Sequence, residues 1–337
     1  MLLKRLFLLL IATAMLVACK KEKPFVPNYA NALPGLWKQL GDFGGVGRVR
    51  SYGFTIGRKG YIVGGNAGSG FNLVPLYDLW EYDPDTDKWT RKADYPGQAA
   101  EYIRGFTING KAYMGTGFGM QYYDGPDALP QNKDFWEYNP ATDIWTQKAD
   151  LPAVGRENVI ALEINGFGYL GLGTNGSYDA NYNDFYKYDA AADKWTRMAD
   201  YPGNGSFGVA AFSVNGKGYA GLGGSSPDIV KKDFWEYDPA ANKWTGKADF
   251  TGKERVFSSQ FAIGTDGYVG LGTTATSSTD DWYKYDALAN SWIKVTTYGG
   301  AARYDAISFV IDGVGYAGTG NPGLKQDMWK YTPTKKN

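Results

Sequence analysis

The chain has 337 residues, with 35 basic and 35 acidic side chains, no histidine, and a single cysteine at position 19. The absence of histidine excludes a Ser-His-Asp triad and an imidazole-bound metal, and beyond Cys19 no cysteine remains for a disulfide or a thiol nucleophile. Because the formal net charge is zero and no basic block lies beyond the N-terminal region, nucleic acid is not an expected partner.

Residues 1–18 are predicted to be a signal peptide. Lys4 and Arg5 precede an apolar run that is too short to span a membrane stably. The run ends in LVAC at residues 16–19, which resembles the lipobox of bacterial lipoproteins. The resemblance implies cleavage before Cys19 and attachment of lipid to that residue. The alternative is an ordinary secretory signal with an incidental cysteine.

Residues 19–34 are polar, contain proline and lack a helical or strand period, so they are predicted to be a flexible tether. Lys20 and Lys21 follow the cysteine, where inner-membrane lipoproteins commonly have aspartate. By that resemblance, we expect a lipid-anchored protein of the bacterial cell envelope, located at the outer membrane on its periplasmic side or at the cell surface.

A motif recurs along the chain, and one copy reads DFWEYDPAANKWTGKADF at residues 233–250. Its tyrosine recurs at intervals of 46 to 56 residues, at Tyr82, Tyr138, Tyr188, Tyr237, Tyr285 and Tyr331. A period near fifty residues with several short strand signals is typical of a β-propeller. The sequence therefore predicts an all-β, six-bladed domain over residues 35–333, followed by a short tail at 334–337.

Each unit is predicted to contain four strands. The first ends in several units at a pair such as Asn165-Gly166, which favours a tight hairpin because both residues tolerate positive φ. The second carries glycines at alternate positions, as in YLGLG at 169–173, so that a neighbouring aromatic ring can approach. The third and fourth are DFWEY and KWTGKA of the motif, joined by a type I turn at Asp238-Pro239.

The last unit lacks a fourth strand, because the chain ends soon after Tyr331. The segment LWKQLGDF at 36–43 aligns with KWTGKADF at 243–250. Trp37 is therefore predicted to lie on an N-terminal outer strand that completes the last blade, closes the ring and covers an exposed sheet edge.

Gly64-Gly65, Tyr82 and Trp89 reproduce the glycine pair, the spaced tyrosine and the later tryptophan of the kelch repeat, which the chain resembles over roughly residues 35–333. Double glycine recurs only at Gly223-Gly224, and the other units have Gly-x-Gly. The resemblance implies a divergent six-bladed kelch-type β-propeller. Tryptophans and carboxylates that recur in the motif are interpreted as scaffold, because an active site needs one asymmetric set of residues.

Function is expected where the repeats differ. The longest loop on the face opposite the short turns, Phe118–Lys133, and the next, Asn175–Asn183, bring four tyrosines to one rim: Tyr122, Tyr123, Tyr178 and Tyr182. Tyrosine among Asn, Gly and Asp suits a glycan-binding or peptide-binding surface. The alternative is a set of solvated turns.

Four arginines share one position before the first strand of their units: Arg48, Arg156, Arg255 and Arg303. Because innermost strands line the central channel, these arginines are candidate ligand-binding residues for a carboxylate or sulfate. Alternatively, each bonds carbonyls and carboxylates of the next blade, as kelch arginines often do. Units two and four have Ala100 and Ser206 at this position.

Together these features favour a non-catalytic binding module. We expect a monomer that is held at the membrane only through its N-terminal lipid, needs no cofactor or metal, and presents its loop-rich face to a glycan or protein ligand.

The alternative is an enzyme. Galactose-oxidase-like propellers are similar in architecture, but their copper centre needs histidine ligands and a cysteine-linked tyrosine, so copper oxidase chemistry is excluded here. Bacterial N-acetylneuraminate mutarotases, which are exported six-bladed kelch propellers, are also similar. That resemblance implies a sugar mutarotase or epimerase acting on an anionic sugar such as sialic acid. Glu101 or Glu157 would then supply the acid–base carboxylate, and Arg156 with the other arginines of its ring would be the cationic clamp.

Overall fold

The computed structural model describes residues 35–68, 72–119, 132–176, 180–203, 207–226 and 229–334. Within these ranges the chain forms strands, turns and extended segments and no helix, so no described helix could cross a membrane. The strands form six four-stranded antiparallel sheets, and the inner strands of neighbouring sheets contact one another. The predicted all-β, six-bladed propeller is confirmed.

The strands are grouped by their place in a blade. The inner strands are β2 (Tyr52–Ile56), β6 (Arg104–Ile108), β10 (Ile160–Ile164), β14 (Ala210–Val214), β20 (Ser259–Ile263) and β24 (Ile307–Ile311). The second strands are β3 (Lys59–Val63), β7 (Lys111–Gly115), β11 (Phe167–Gly171), β15 (Lys217–Gly221), β21 (Asp266–Gly270) and β25 (Val314–Gly318).

The remaining strands lie farther from the axis. The third strands are β4 (Leu79–Asp83), β8 (Phe135–Asn139), β12 (Phe185–Asp189), β18 (Phe234–Asp238), β22 (Asp281–Asp286) and β26 (Met328–Thr332). The outer strands are β5 (Lys88–Lys92), β9 (Ile144–Lys148), β13 (Lys194–Met198), β19 (Lys243–Gly246), β23 (Ser291–Thr297) and β1 (Leu36–Gln39). An additional short hairpin, β16 (Gly224–Ser226) and β17 (Ile229–Val230), belongs to the fourth blade's loops.

The N-terminal strand completes the sixth blade as the sequence predicts. β1 pairs antiparallel with β26, and Trp37 lies opposite Tyr331. The Trp37 ring also packs against Tyr298 at 4.9 Å and Trp282 at 5.2 Å between ring centroids, so the strand is held by the fifth blade as well as the sixth. The first and last described segments are thus joined in one sheet, which removes its open edge.

Tight turns and glycines act as predicted. Asn165 and Gly166 both have positive φ, 54° and 81°, which the two-residue hairpin between inner and second strands requires. A Cβ on Gly168 would lie 2.0 Å from the ring of Phe106 in the preceding blade. The glycines of the second strand therefore admit an aromatic side chain from the neighbouring inner strand, which brings adjacent blades close together.

The recurrent motif joins blades two to five each to the blade before it. Trp145 Nε1 donates to the carbonyl of Ala93 in the first blade at 3.0 Å, and Asp143 accepts from the backbone N–H of Ala93 at 2.9 Å. The hydroxyl of Tyr138 donates to the same carboxylate. Equivalent tryptophan bonds recur in blades three, four and five. The interpretation of the motif as inter-blade scaffold is confirmed.

Candidate functional site at the channel mouth

The four arginines that precede inner strands, here called the blade-start arginines (Arg48, Arg156, Arg255 and Arg303), are at most 1% exposed. Arg156 donates through Nη2 to Asp184 at 3.0 Å, through Nη1 to the Leu172 carbonyl at 3.1 Å, and through Nε to the Val154 carbonyl at 3.0 Å. The same bonds recur in the other three blades, to Asp78, Asp281 and Asp327.

These contacts favour the alternative interpretation, in which the blade-start arginines stabilise the scaffold instead of binding a ligand at the channel mouth. Their guanidinium groups are occupied by carboxylates and carbonyls, and the aspartates belong to the same blade rather than to the next one. Burial opposes ionisation of Asp184, but the hydrogen bonds from Arg156 outweigh it and hold the pKa of that carboxyl below its usual range. The arrangement is a buried structural ion pair.

Of the four rim tyrosines, only Tyr182 falls within the described ranges. Its ring lies 4.3 Å from the guanidinium carbon of Arg156, a cation–π contact that places it against a structural side chain. Tyr122, Tyr123 and Tyr178 lie outside the described residues, as does Cys19. Their predicted roles in ligand binding and lipidation stay predictions.

A second set of residues lies two positions after the blade-start position and surrounds the channel. This channel ring consists of Arg50, Tyr102, Asn158, Gly208, Phe257 and Asp305, and all six have φ between 52° and 60°. Successive members bond through the backbone: Tyr102 N–H donates to the Arg50 carbonyl at 2.9 Å, and Phe257 N–H to the Gly208 carbonyl at 3.2 Å. Bulky residues seldom adopt this conformation, so the surrounding scaffold must impose it.

Charged members of the ring meet neighbouring carboxylates. Arg50 Nη1 lies 2.6 Å from Glu101, and its Nε lies 4.0 Å from Asp305. The Arg50 side chain is 36% exposed, whereas Glu101 is 1% and Asp305 4% exposed. Asn66 also donates to Glu101 at 2.6 Å, which satisfies the second oxygen of that carboxylate. Arg50 is thus a cation that keeps solvent access beside two buried acids.

Glu157 completes what we call the channel cluster (Arg50, Glu101, Glu157 and Asp305). Burial raises the pKa of Glu157 to about 7; Arg50 opposes this rise, while Glu101 and Asp305 add to it. Asn158 donates to its carboxyl at 3.2 Å. Burial likewise raises the pKa of Asp305 to about 6, against the pull of Arg50 and Arg104. Two carboxyl groups that titrate near neutral pH beside a cation are suited to acid–base chemistry.

Aromatic rings cover the same end of the channel. Tyr102 and Phe257 belong to blades two and five, and their rings stack at 6.1 Å between centroids across the axis. Phe207 lies 5.8 Å from Phe257. Within the described ranges, no group of three or more acidic, histidine or cysteine side chains is arranged to hold a metal ion. The site therefore combines an accessible cation, carboxyl groups and apolar ring faces.

Part of this site is predictable from the sequence. Glu101 and Glu157 lie in the channel cluster as the enzyme alternative supposed, but Arg156, the proposed clamp, does not. Arg50, Asp305 and the remaining ring members were missed. The available signal was their position: two residues after the repeated arginine, the six units carry six different residues, which is the asymmetry expected of a site.

Comparison with known proteins agrees with this architecture. A sequence model of the Kelch motif matches residues 55–94. N-acetylneuraminate epimerase of Yersinia enterocolitica serotype O:8 / biotype 1B (strain NCTC 13174 / 8081) is 27% identical over 35% of this chain, and the match spans only 38% of that relative's length. The solved structure of YjhT superposes with a TM-score of 0.70 at 17% identity, over 87% of this chain and 95% of that one. The chain is a six-bladed β-propeller, and one of its repeats matches the Kelch motif.

Proposed function

We propose that the propeller binds an anionic sugar at the channel mouth and interconverts its anomers, as a mutarotase of the N-acetylneuraminate type. The observation that carries the proposal is the channel cluster, in which the carboxyls of Glu157 and Asp305 lie beside the solvent-accessible guanidinium of Arg50. The partial likeness to an N-acetylneuraminate epimerase supports the same substrate class.

Anomer exchange of a cyclic sugar acid needs two proton transfers and no redox step. A carboxylate removes the proton of the anomeric hydroxyl while a carboxylic acid protonates the ring oxygen, so the ring C–O bond breaks and a carbonyl forms. Rotation about the adjacent C–C bond and the reverse transfers then close the ring in the other configuration. Glu157, with a pKa near 7, can serve in either direction, and Asp305 is the partner carboxyl.

Arg50 replaces Arg156 as the cationic clamp for the sugar carboxylate. Its exposed side chain reaches solvent, whereas Arg156 is 1% exposed and bonded to Asp184. The guanidinium lies over the ring of Tyr102 at 5.2 Å, which fixes its orientation. Phe257, which is half-buried, would offer its ring to the apolar side of the sugar.

Export and lipid anchoring belong to the proposal and rest on residues 1–34 of the sequence. A lipid on Cys19 and the tether that follows would hold the propeller at the outer membrane, where sugar acids arrive from outside the cell. The second candidate, a non-catalytic glycan-binding or protein-binding module, is favoured by the aromatic faces at the channel mouth, which suit binding whether or not turnover follows.

The test is exchange-transfer NMR on the two anomers of N-acetylneuraminate, with and without protein. We expect wild type to accelerate exchange, and Glu157→Gln to lower that acceleration by about 10²- to 10⁴-fold, the usual contribution of one general acid or base. Glu163→Gln, on β10 but outside the channel cluster, is the matched control and should retain wild-type rates.

Equal exchange rates with and without protein would overturn the mutarotase proposal. Saturation-transfer difference spectra, recorded on the same samples, separate the two candidates. Sugar contact without accelerated exchange would establish the non-catalytic module instead.

A further inference from the structure

Arg104, which is half-buried, differs from the four buried blade-start arginines. It begins inner strand β6, and its Nη1 donates only to backbone carbonyls, of Ile103 at 2.9 Å and Ser51 at 3.5 Å. Arg48, Arg156, Arg255 and Arg303 each hold an aspartate by two hydrogen bonds, whereas no carboxylate oxygen of the described residues lies within 4.0 Å of Arg104. Its Nε and Nη2 donate to no described protein atom.

A small cavity lies beside this guanidinium in the narrow part of the channel. This neck cavity has a volume of about 60 Å³, and its lining includes Tyr52, Arg104, Asn158, Phe257, Ser258 and Gln260. Ser258 Oγ and Gln260 Oε1 are buried and have no hydrogen-bond partner within the described part of the chain. A cation and two unsatisfied polar side chains therefore surround one enclosed space, which suits a polar occupant rather than a dry void.

The geometry points to an anion site in the neck cavity: we propose that Arg104 binds a small monovalent anion there, either a halide ion or the carboxylate of a bound sugar acid. Nε and Nη2 of Arg104 would donate to the anion, with the Ser258 hydroxyl donating from the fifth blade. The sugar-carboxylate source rests on the proposed function but would place that carboxylate on Arg104 in place of Arg50, whereas the halide source does not depend on the proposed function.

Charge and size support this occupant. Burial lowers the pKa of Arg104, which shows that the isolated cation is poorly solvated, and the nearby Asp305 is already directed to Arg50. A bound anion would compensate the guanidinium charge that Asp305 only partly offsets. The cavity is too small for a whole sugar ring but admits a halide or a carboxylate group.

A path for a free ion exists on the side away from the channel cluster. The neck cavity shares Tyr52, Ala161, Ala211 and Gln260 with a wider chamber of about 320 Å³ that extends along the inner strands toward the short-turn face. An inorganic ion can therefore reach Arg104 even when the channel mouth is covered.

The experiment measures chloride binding in solution by the excess ³⁵Cl NMR line width. We expect wild type to broaden the chloride line, Arg104→Gln to lose most of that broadening, and Arg197→Gln to retain it. Arg197 is the matched control because it is an exposed arginine paired with Asp200. Crystals grown in sodium bromide then locate the ion, with an anomalous peak expected beside residue 104 in wild type and absent in Arg104→Gln.

Addition of N-acetylneuraminate distinguishes the two sources. Narrowing of the chloride line as sugar is added identifies the sugar carboxylate as a competitor for the neck, and an unchanged line identifies a separate inorganic site. Broadening that survives in Arg104→Gln, or a wild-type chloride line as narrow as that of buffer, overturns the proposal. Chloride binding is measured without turnover. The anion site can therefore be disproved while mutarotation is confirmed, and mutarotation can be disproved while the anion site is confirmed.

Discussion

In the third blade, Arg156 and Asn158 are two residues apart, yet they belong to different parts of the molecule. Arg156 is locked to Asp184 inside the blade, and three other blades repeat that pair. Asn158 faces the neck cavity and donates to Glu157, and no other blade has asparagine at its position.

This difference shows how scaffold positions can be distinguished from site positions in a repeat protein. A position that keeps its residue in four of the six blades has a structural task that those blades share, here the stabilisation of the connection between second and third strands. A position that changes in every blade while keeping its backbone conformation is freed from that task. The channel ring has this character, with one left-handed backbone and six side chains.

The largest loss of unfolding free energy is expected from substitution of a blade-start arginine. Arg156→Gln leaves Asp184 as a buried carboxylate without its cation, which should cost about 3–5 kcal/mol of unfolding free energy. Urea denaturation followed by tryptophan fluorescence measures this. Arg197→Gln removes an exposed arginine and should change stability by less than about 1 kcal/mol. An equally small effect at Arg156 would contradict the scaffold role of the blade-start arginines.

Blades two and four sharpen the comparison because they keep the aspartate but lack the arginine. Asp134 Oδ1 has no partner within the described residues, and Oδ2 accepts from Trp136 Nε1 at 2.8 Å. Asp184→Asn should therefore cost about 3 kcal/mol by uncoupling Arg156, whereas Asp134→Asn should stay within about 0.5 kcal/mol, since an amide oxygen can accept the same bond. Thermal and urea unfolding of the two variants give the contrast directly. Equal losses of unfolding free energy in the two variants would mean that Arg156 adds no stability.

The sequence could predict the fold because its determinants are local and repeated. The motif spacing counts the blades, the Asn-Gly pairs define hairpins, and the fit of Trp37 to the outer-strand pattern places the N-terminal strand in the sixth blade. Each feature depends on residues close in sequence, and every copy strengthens the others. The repeats differ in length, but the strand order of each blade can still be predicted. Successive strands that pair antiparallel leave few other strand orders.

The site could be predicted only in part, because it depends on contacts between blades far apart in the chain. Glu101 and Arg50 are 51 residues apart, and Arg50 and Asp305 are 255 apart, so no local pattern joins them. The repeated arginines drew attention because they recur, yet recurrence is the mark of the scaffold. Raised pKa values of Glu157 and Asp305 arise from burial and mutual repulsion, which a sequence does not display.

The channel cluster should make stability depend on pH in a direction opposite to that of the Arg–Asp pairs. Glu157 and Asp305 have folded pKa values of about 7 and about 6, above their ordinary values, so folding binds protons. Their stabilising contribution is complete below pH 4 and is lost as pH rises through 6 to 7. Between pH 5 and pH 8 the unfolding free energy should fall, by at most about 3 kcal/mol for Glu157.

Urea denaturation at pH 5 and pH 8 measures that slope. The lowered pKa values of Asp78, Asp184, Asp281 and Asp327 act only in more acidic solution and leave this window unaffected. Glu157→Gln should remove most of the slope, and Glu163→Gln should keep it. A slope that is unchanged in Glu157→Gln would show that this carboxyl does not take up the proton.

A substitution in the channel ring itself should have only a small effect on stability. Asn158→Gly places in the third blade the residue that the fourth blade already has at this position, where Gly208 has φ of 60° against 58° for Asn158. Because glycine accepts this conformation freely, the unfolding free energy should change by less than about 1 kcal/mol. The Glu157 carboxyl loses a hydrogen-bond donor, so anomer exchange should slow by about tenfold, the effect of one hydrogen bond. Urea denaturation measures the unfolding free energy and exchange-transfer NMR the rate of anomer exchange, both on one preparation of the variant. A variant that loses stability but keeps its exchange rate would show that Asn158 belongs to the scaffold and not to the site.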